Sequence, residues 1–152
     1  MPREMSENEI FVLEYLRRQY SERNHFYNLL GLHIEQAYKG RAIQSMMVEA
    51  GKHTNLYANL HGGAIMSIGD SCMGVACASL GKRVVTLDTH INFIANVYAP
   101  SLITCEAGVL HSGRHTIVMG AKVFDGGRRV ISSLRSTYYV IGVFEEIIDK
   151  IT

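Results

Sequence analysis

A single carboxylate interrupts a long apolar segment of this 152-residue chain. Residues 62–81, GGAIMSIGDSCMGVACASLG, are apolar or small throughout, and the one charged side chain among them is Asp70. A helix that is apolar all round has to be enclosed by the rest of the protein, and an unpaired carboxylate inside it costs several kcal/mol. The segment therefore predicts a buried helix in which Asp70 is satisfied by hydrogen bonds, turned to solvent at the helix edge, or functional.

One face of this predicted helix carries only small side chains and the carboxylate. The residues that share this face follow each other at steps of four and three: Gly63, Ser67, Asp70, Gly74 and Cys77. A glycine inside a helix costs about 1 kcal/mol relative to alanine, so a stripe of this kind usually marks the close approach of another backbone or of a ligand.

The start of the helix supplies a second polar feature. Gly62 and Gly63 follow His61 and a polar loop. Because glycine has no side chain, the backbone N–H groups of the first helical turn are expected to be uncovered, and such groups attract negative charge. Hydrolysis of an acyl group requires donors that polarise a carbonyl and a carboxylate that attacks it or activates water. The two features together favour this chemistry.

A sheet is predicted on both sides of the helix in the chain. In residues 84–97, VVTLDTHINFIANV, the odd positions are mostly apolar and the even positions polar, which predicts a long half-buried strand with one polar face. Two strands are expected earlier, in GLHIEQAYKGRAIQSMMVEA. Three more follow in SLITCEAGVLH, HTIVMGAKVF and RRVISSLRSTYYVIG, with turns around Gly113 and at residues 125–127.

Two further helices are predicted at the ends of the chain. Ser6 and Glu9 have the spacing of a capping box, and apolar residues recur at helical intervals after them, so a helix is expected over residues 7–20. The last residues, VFEEIIDKIT, predict a short amphipathic helix that packs on its own domain or on a second subunit. The order of the elements indicates an α+β domain in which about six strands wrap around the apolar helix.

Composition excludes several classes of function. A net charge of +1 gives no electrostatic case for a nucleic-acid partner, and the aspartate and glycines of residues 62–81 argue against a membrane span. Cys72, Cys77 and Cys105 are odd in number and lack CxxC spacing, so we expect free buried thiols in a reducing compartment and no metal site. The N-terminus lacks the apolar core of a signal peptide. These features predict a cytoplasmic protein.

The segment from Asn55 to Asp70, N-L-Y-A-N-L-H-G-G-x6-D, resembles the signature of the hotdog-fold acyl-CoA thioesterases. The resemblance is to the PaaI-like branch of the 4-hydroxybenzoyl-CoA thioesterase superfamily, and it extends from about residue 26 to residue 142. It implies a hotdog fold, in which a long central helix is wrapped by an antiparallel sheet. We therefore expect an N-terminal helical extension over residues 1–24, a hotdog domain over residues 25–142 and a C-terminal tail over residues 143–152.

The resemblance implies a role for each residue of the motif. Asp70 corresponds to the nucleophile or general base, and Asn55 to the residue that positions the thioester or the attacking water. The backbone N–H of Gly62 would polarise the thioester carbonyl, with His61 supporting that loop. Thr86 lies where relatives have a Ser or Thr that orients the water.

The same resemblance implies how substrate is held. Gly63 is expected to contact the substrate at the helix start, and Gly113 and Arg114 occupy the turn near which relatives bind coenzyme A. Tyr138 and Tyr139 are interpreted as sheet residues and not as walls of an acyl pocket.

The function implied is hydrolysis of an aryl, phenylacetyl or medium-chain acyl-CoA to a carboxylic acid and CoA. No metal or redox cofactor is expected, coenzyme A being part of the substrate, and the active sites would lie at the interface of a homodimer or dimer of dimers. Three alternatives stay open: a hotdog enoyl-CoA hydratase, a non-catalytic acyl-CoA-binding module, and an assembly module that has lost the chemistry.

Overall fold

The apolar segment forms a helix that lies against a six-stranded antiparallel sheet in the computed structural model of the chain, which describes residues 3–152. The helices are α1 (Glu7–Arg23), α2 (His25–Leu30), α3 (Gly62–Ala78) and α4 (Glu145–Ile151). The strands are β1 (Leu32–Tyr38), β2 (Arg41–Val48), β3 (Lys82–Phe93), β4 (Ser101–Ser112), β5 (Thr116–Phe124) and β6 (Val130–Val143). Their order in the sheet is β1-β2-β4-β5-β6-β3. The predicted hotdog architecture is confirmed.

Helix α3 packs against the inner face of the sheet, as its apolar sequence predicts. Ile68, Met73 and Val75 are fully buried there. A Cβ atom at Gly69 would overlap the end of the buried Leu134 side chain of β6, so glycine here lets helix and sheet approach closely without displacing that side chain. The packing fixes which face of α3 remains uncovered by strands, and that face carries the stripe of small residues.

The N-terminal region covers the β1 edge of the sheet. Ser6 and Glu9 form the predicted capping box at the start of α1, and Arg17 Nε donates a hydrogen bond to the backbone oxygen of Ile34 in β1 at 2.8 Å. α1 ends three residues later than expected, and α2 was not predicted. It begins where Asn24 accepts a hydrogen bond from the Tyr27 N–H at 3.0 Å. Of the predicted extension over residues 1–24, residues 1 and 2 lie outside the described residues.

Strand β3 differs from its prediction. It ends at Phe93, and none of its residues is fully buried, because it lies at the sheet edge and pairs only with β6. An extra residue, Leu87, bulges between two consecutive pairs of the β3–β6 ladder and reverses the alternation of the side chains. As a result Thr86 lies on the α3 side of the sheet, whereas the apolar Val85 and Leu87 are 48% and 57% exposed.

The C-terminal helix packs on its own chain. Ile147 of α4 is fully buried, and Tyr15 of α1 donates a hydrogen bond to Glu146 at 3.1 Å. The backbone N–H of Phe144 donates to the oxygen of Gly81 at the start of β3. The structure therefore agrees with the first of the two predicted alternatives, in which this helix packs on its own domain and not on a second subunit.

Candidate active site

Asp70 lies at the centre of a small hydrogen-bonded cluster that joins α3 to β3 and β6. Thr86 Oγ1 donates to Asp70 Oδ1 at 2.8 Å, and Tyr138 Oη donates to the same oxygen at 2.9 Å and to the Asp70 backbone oxygen at 3.0 Å. The other carboxylate oxygen, Oδ2, accepts no hydrogen bond from residues 3–152. One oxygen is thus fixed by two hydroxyl groups while the other is available to a water or a substrate.

Tyr138 is the member of this cluster that sequence reasoning missed. It is a sheet residue, as interpreted, but it also lines the cavity beside Asp70, which corrects that interpretation. Burial, and then the negative charge of Asp70, raise the pKa of Tyr138 well above its ordinary value, so the phenol stays protonated and remains a donor. The signal was present in β6, where Leu134, Ser136 and Tyr138 alternate on the inner face.

A cavity of about 670 Å³ opens over Asp70. Its floor is the small-residue face of α3 from Gly63 to Ala78, and β3 and β6 form one wall with Thr86 and Tyr138. The opposite wall comes from α1, α2 and the start of β1, including Tyr20. The stripe of small residues from Gly63 to Gly74 therefore borders open space, whereas Cys77 is fully buried, and the N-terminal helices enclose that space.

The start of α3 is only partly as predicted. His61 Nδ1 accepts a hydrogen bond from the Gly63 N–H at 2.8 Å, so that N–H is capped and not free. The Gly62 N–H makes no hydrogen bond within the part of the chain that the structure describes. The ring of Phe93 lies 3.0 Å from where a Gly62 Cβ would be. One bare donor therefore remains at this helix end, and it belongs to Gly62.

Asn55 lies in a turn before α3. Its Oδ1 accepts hydrogen bonds from the backbone N–H groups of Tyr57 at 2.9 Å and Asn59 at 3.1 Å, so the side chain holds its own loop. Ala58 in this turn has a φ of 61°, a left-handed conformation that favours glycine. The loop leaves the side chain of Leu56 90% exposed.

Buried His53 ties this loop to its surroundings. Its Nδ1 accepts a hydrogen bond from the Glu49 N–H at 3.0 Å, its Nε2 donates to the Leu30 oxygen at 2.8 Å, and its backbone oxygen accepts from the His61 N–H at 2.7 Å. Both ring nitrogens are used when the ring is neutral. His53 therefore links the loop before α3 to α2 and to the residue that caps α3.

The predicted site residues fall into separate places. Asp70, Thr86 and Gly63 line the cavity, whereas Asn55 and Gly62 lie at the start of α3 outside it. Gly62 and Asp70 are eight residues apart on one helix, about 12 Å along its axis.

The other two predicted substrate contacts lie at a turn. Gly113 and Arg114 occupy the β4–β5 turn, where the Gly113 N–H donates to the Thr116 oxygen at 2.8 Å, and neither residue lines the cavity. The single chain does not bring this turn to Asp70.

Two further properties of the folded chain concern metal ions and membranes. Among residues 3–152, no three His, Cys, Asp or Glu side chains lie together in a way that would hold a metal ion. Of the helices in the described part of the chain, none is long and apolar enough to cross a membrane.

Comparisons with known proteins agree with this geometry. The sequence model of the thioesterase superfamily matches residues 57–132, half of the chain, which contain His61, Asp70 and Thr86. The fold is similar to that of the Escherichia coli PaaI protein from the phenylacetic acid degradation operon, with a TM-score of 0.82 and 25% identity over 88% of this chain and 96% of that one.

Two other solved structures are similar at slightly higher identity. A protein from Streptococcus pneumoniae described as a hypothetical thioesterase, solved with coenzyme A, has a TM-score of 0.71 and 28% identity over 74% of this chain and 87% of its own. That protein was also solved as an Asp-to-Ala and as a Thr-to-Ala mutant. A conserved protein of Pseudomonas aeruginosa has a TM-score of 0.73 and 30% identity over 78% of this chain and 94% of its own.

Proposed function

The chain belongs to the thioesterase superfamily, and from this premise we propose that it hydrolyses an acyl-CoA to a carboxylic acid and free CoA. The resemblance to its PaaI-like branch agrees with the similarity to the E. coli protein. The observation that carries the proposal is the Asp70 carboxylate, held in a cavity by Thr86 and Tyr138 with one oxygen left free.

The hydrogen-bond directions around Asp70 suit the activation of water. The Thr86 hydroxyl gives its only proton to Asp70, so its lone pairs are free to accept from a water. A water that donates one proton to Thr86 and the other to Asp70 Oδ2 presents its own lone pair to a thioester carbonyl. Asp70 then takes the proton as the water attacks. Direct attack of Oδ2 on the carbonyl is the alternative route, and both need an ionised carboxylate.

The proposed carbonyl donor requires a second copy of the chain. A thioester carbonyl has to lie within about 3 Å of the oxyanion donor and of the attacking group, but Gly62 and Asp70 of one chain are about 12 Å apart along α3. We propose that the Gly62 N–H and Asn55 of one subunit complete the site of Asp70 and Thr86 in the partner. His61 would hold the helix start in place by accepting a hydrogen bond from the Gly63 N–H, and Gly63 lines the end of the cavity near that helix start.

Several surfaces suit a homodimer. The outer edge of β3 has unpaired backbone groups next to Thr86, and sheet edges of this kind pair readily with another strand. Exposed apolar side chains, including Leu56 and Phe93, surround the start of α3. A dimer of dimers is the larger assembly that we propose. Gly113 and Arg114 would contact coenzyme A only if the partner brought them to a cavity.

The proposed substrate class follows from the cavity lining. Phe26, Leu32 and Met66 give the cavity apolar walls, which suit an aryl, phenylacetyl or medium-chain acyl group. The three cysteines are free and buried, as predicted, and free thiols agree with a cytoplasmic location.

The test is release of free CoA from a panel of acyl-CoAs, comparing wild type with Asp70→Asn. The asparagine oxygen still accepts from Thr86 and Tyr138, so the fold is retained, but the general base is lost and kcat falls about 10²- to 10⁴-fold. CoA is quantified by chromatography, because a thiol dye would also report cysteines in any unfolded protein. The preferred acyl group names the substrate class.

Contrary outcomes are distinct. Near-native turnover by Asp70→Asn would remove Asp70 from the mechanism. Hydration of crotonyl-CoA, seen as loss of its enoyl absorbance, would indicate a hydratase. CoA binding without turnover in either protein would indicate a binding module.

A further inference from the structure

One side chain of the N-terminal helix α1 closes over the floor of the cavity beside Asp70. Tyr20 lines the cavity, and its Oη lies 3.8 Å from where a Gly74 Cβ would be. Gly74 follows Asp70 by four residues, so the two lie on one face of α3, about 6 Å apart along its axis. The hydroxyl group of Tyr20 therefore meets the floor one helical turn from the proposed catalytic carboxylate.

We propose that Tyr20 sets the length of the acyl group that this cavity accepts, with Gly74 as the floor beneath it. The proposal rests on the proposed function, because it places an acyl group in the cavity with its carbonyl at Asp70. A chain no longer than hexanoyl, or a single ring such as that of phenylacetyl, would end at Tyr20, whereas a decanoyl chain would not fit. The proposed class of acyl groups is thereby narrowed to its shorter members.

The gap between Tyr20 and α3 is too narrow for an acyl chain. A separation of 3.8 Å is an ordinary van der Waals contact, so a side chain of one carbon at Gly74 would already fill the space. A methylene group that passed there would have to keep such a distance from both the hydroxyl group and the helix backbone. Beyond this point the cavity is lined by Lys82 and Arg83 of β3, so a longer chain would be directed toward two cations.

The ring of Tyr20 is held in this position. It packs edge-on against Tyr27, with ring centroids 5.4 Å apart and an interplanar angle of 63°. Tyr27 is buried, and its Oη accepts a hydrogen bond from the Ile34 N–H of β1 at 3.1 Å. The backbone oxygen of Tyr20 accepts a hydrogen bond from the N–H of Asn24, which caps α2. Because the ring is braced by α2 and, through Tyr27, by β1, it can act as a fixed wall.

The hydroxyl group of Tyr20 borders the open space of the cavity and has no protein partner. Tyr15, Tyr27 and Tyr138 each use Oη in a hydrogen bond, but Tyr20 Oη makes none within residues 3–152. Burial is the main reason that the pKa of Tyr20 lies well above its ordinary value, so its phenol stays neutral. A neutral ring of this kind is a surface against which an apolar acyl chain can pack.

The first experiment measures binding, so that it does not depend on hydrolysis. S-butyl-, S-hexyl- and S-decyl-CoA are thioethers without a carbonyl, and calorimetry gives their Kd for wild type, Tyr20→Ala and Tyr20→Phe. In wild type each methylene up to hexyl should tighten binding about fourfold, and decyl should bind no better than hexyl. In Tyr20→Ala decyl should bind about tenfold tighter than hexyl, while Tyr20→Phe, which keeps the ring, should resemble wild type.

Two variants separate the length limit from a general loosening of α1. Tyr15→Ala also removes a ring from α1, but Tyr15 packs against Phe144 and does not line the cavity, so the dependence on chain length should be kept at lower stability. Gly74→Ala favours the helix and adds a methyl group in ordinary contact with Tyr20 Oη, so it should fold. It should bind hexyl about fourfold more weakly than wild type and butyl equally well. Should Tyr20→Ala fail to fold, unchanged hexyl affinity in Gly74→Ala would overturn the proposal.

The remaining outcomes distinguish this proposal from the proposed function. A folded Tyr20→Ala with the wild-type dependence on chain length would overturn the length limit, even if the protein hydrolyses hexanoyl-CoA. A wild type that binds decyl more tightly than hexyl would overturn it too. If wild type hydrolyses no thioester but Tyr20→Ala gains affinity for decyl, hydrolysis is refuted and the length limit is supported. Failure of wild type to bind any of the thioethers, together with no hydrolysis, would refute both. In hydrolysis itself, Tyr20→Ala should raise kcat/KM for decanoyl-CoA relative to hexanoyl-CoA about tenfold.

Discussion

The two halves of α3 differ in how much of the proposed site one chain completes. Around Asp70, side chains from β3 and β6 converge, and every donor near the carboxylate already has its acceptor. Around Gly62, the neighbouring polar groups bond only to their own loop, and the Gly62 N–H has no partner within residues 3–152. The side chains beside it are exposed and apolar, with Leu56 at 90% and Phe93 at 57%.

A continuous sequence motif therefore need not form one continuous site. The signature from Asn55 to Asp70 spans both halves of the helix, yet the helix keeps its ends apart. The half around Asp70 is complete once the chain folds. In our proposal, the half around Gly62 becomes part of a site only when a second subunit packs against it. Each half, and the link between the two, can be tested by substitution.

After the loss of Asp70, the largest effect is expected where a single N–H is removed from the other half of α3. Gly62 is the first residue of α3, where proline is favoured, and His61 before it has the extended conformation, ψ 135°, that proline requires. Gly62→Pro should fold, lose the proposed oxyanion donor and lower kcat about 10²- to 10³-fold. The measurement is steady-state hydrolysis of the best acyl-CoA from the panel.

Gly62→Ala is the matched control for the proline variant. It adds a Cβ against the same exposed Phe93 ring, which has to move slightly in both variants, but it keeps the N–H. If Gly62→Ala lowers kcat as much as Gly62→Pro does, the loss of activity comes from contact with Phe93, and the role of the Gly62 N–H as oxyanion donor is refuted.

Mixed dimers test whether the two halves come from different subunits. A dimer of one Asp70→Asn subunit and one Gly62→Pro subunit contains one intact shared site and one doubly damaged site. We expect about half of the wild-type kcat per dimer from two nearly inactive parents. The mixed species is purified by two different affinity tags and assayed at once. Activity no higher than that of the parents would mean that each site lies within one chain.

The features that the sequence predicted are those determined by neighbouring residues. The α3 helix, the Ser6–Glu9 capping box and the hairpin turns follow from local chemistry and period, whereas the cap that His61 makes on Gly63 was not predicted. Helix α2 was missed because six residues are too few for a periodic signal, and its start depends on the Asn24 side chain.

The features that the sequence did not predict depend on distant pairing. The face on which Thr86 lies is set by the bulge at Leu87, which exists only because β3 pairs with β6 about 50 residues later. The Tyr138–Asp70 bond joins residues 68 apart, and the cavity wall at Tyr20 comes from a third part of the chain. The alternation of apolar and polar residues within one strand does not indicate which distant residues it will contact.

A smaller effect is expected from Thr86, which belongs to the completed half. Thr86→Val keeps the shape and removes the hydroxyl, so Asp70 loses one donor and the proposed water loses its acceptor. We expect kcat to fall about 10- to 100-fold, with KM nearly unchanged. Thr86→Ser, which retains the hydroxyl, should stay near wild type, and a serine variant as weak as valine would assign Thr86 to packing.

The smallest effect concerns the loop that belongs to the incomplete half. Ala58 has a φ of 61°, where a Cβ is strained and glycine is not, so Ala58→Gly should stabilise the fold by about 0.5–1 kcal/mol after the higher entropy of the unfolded glycine chain is subtracted. Urea unfolding at unchanged m measures the shift. Ala50→Gly, in the same loop without a positive φ, should be neutral or destabilising. If Ala58→Gly instead unfolds at a lower urea concentration than wild type, the left-handed conformation of Ala58 does not strain the turn around Asn55.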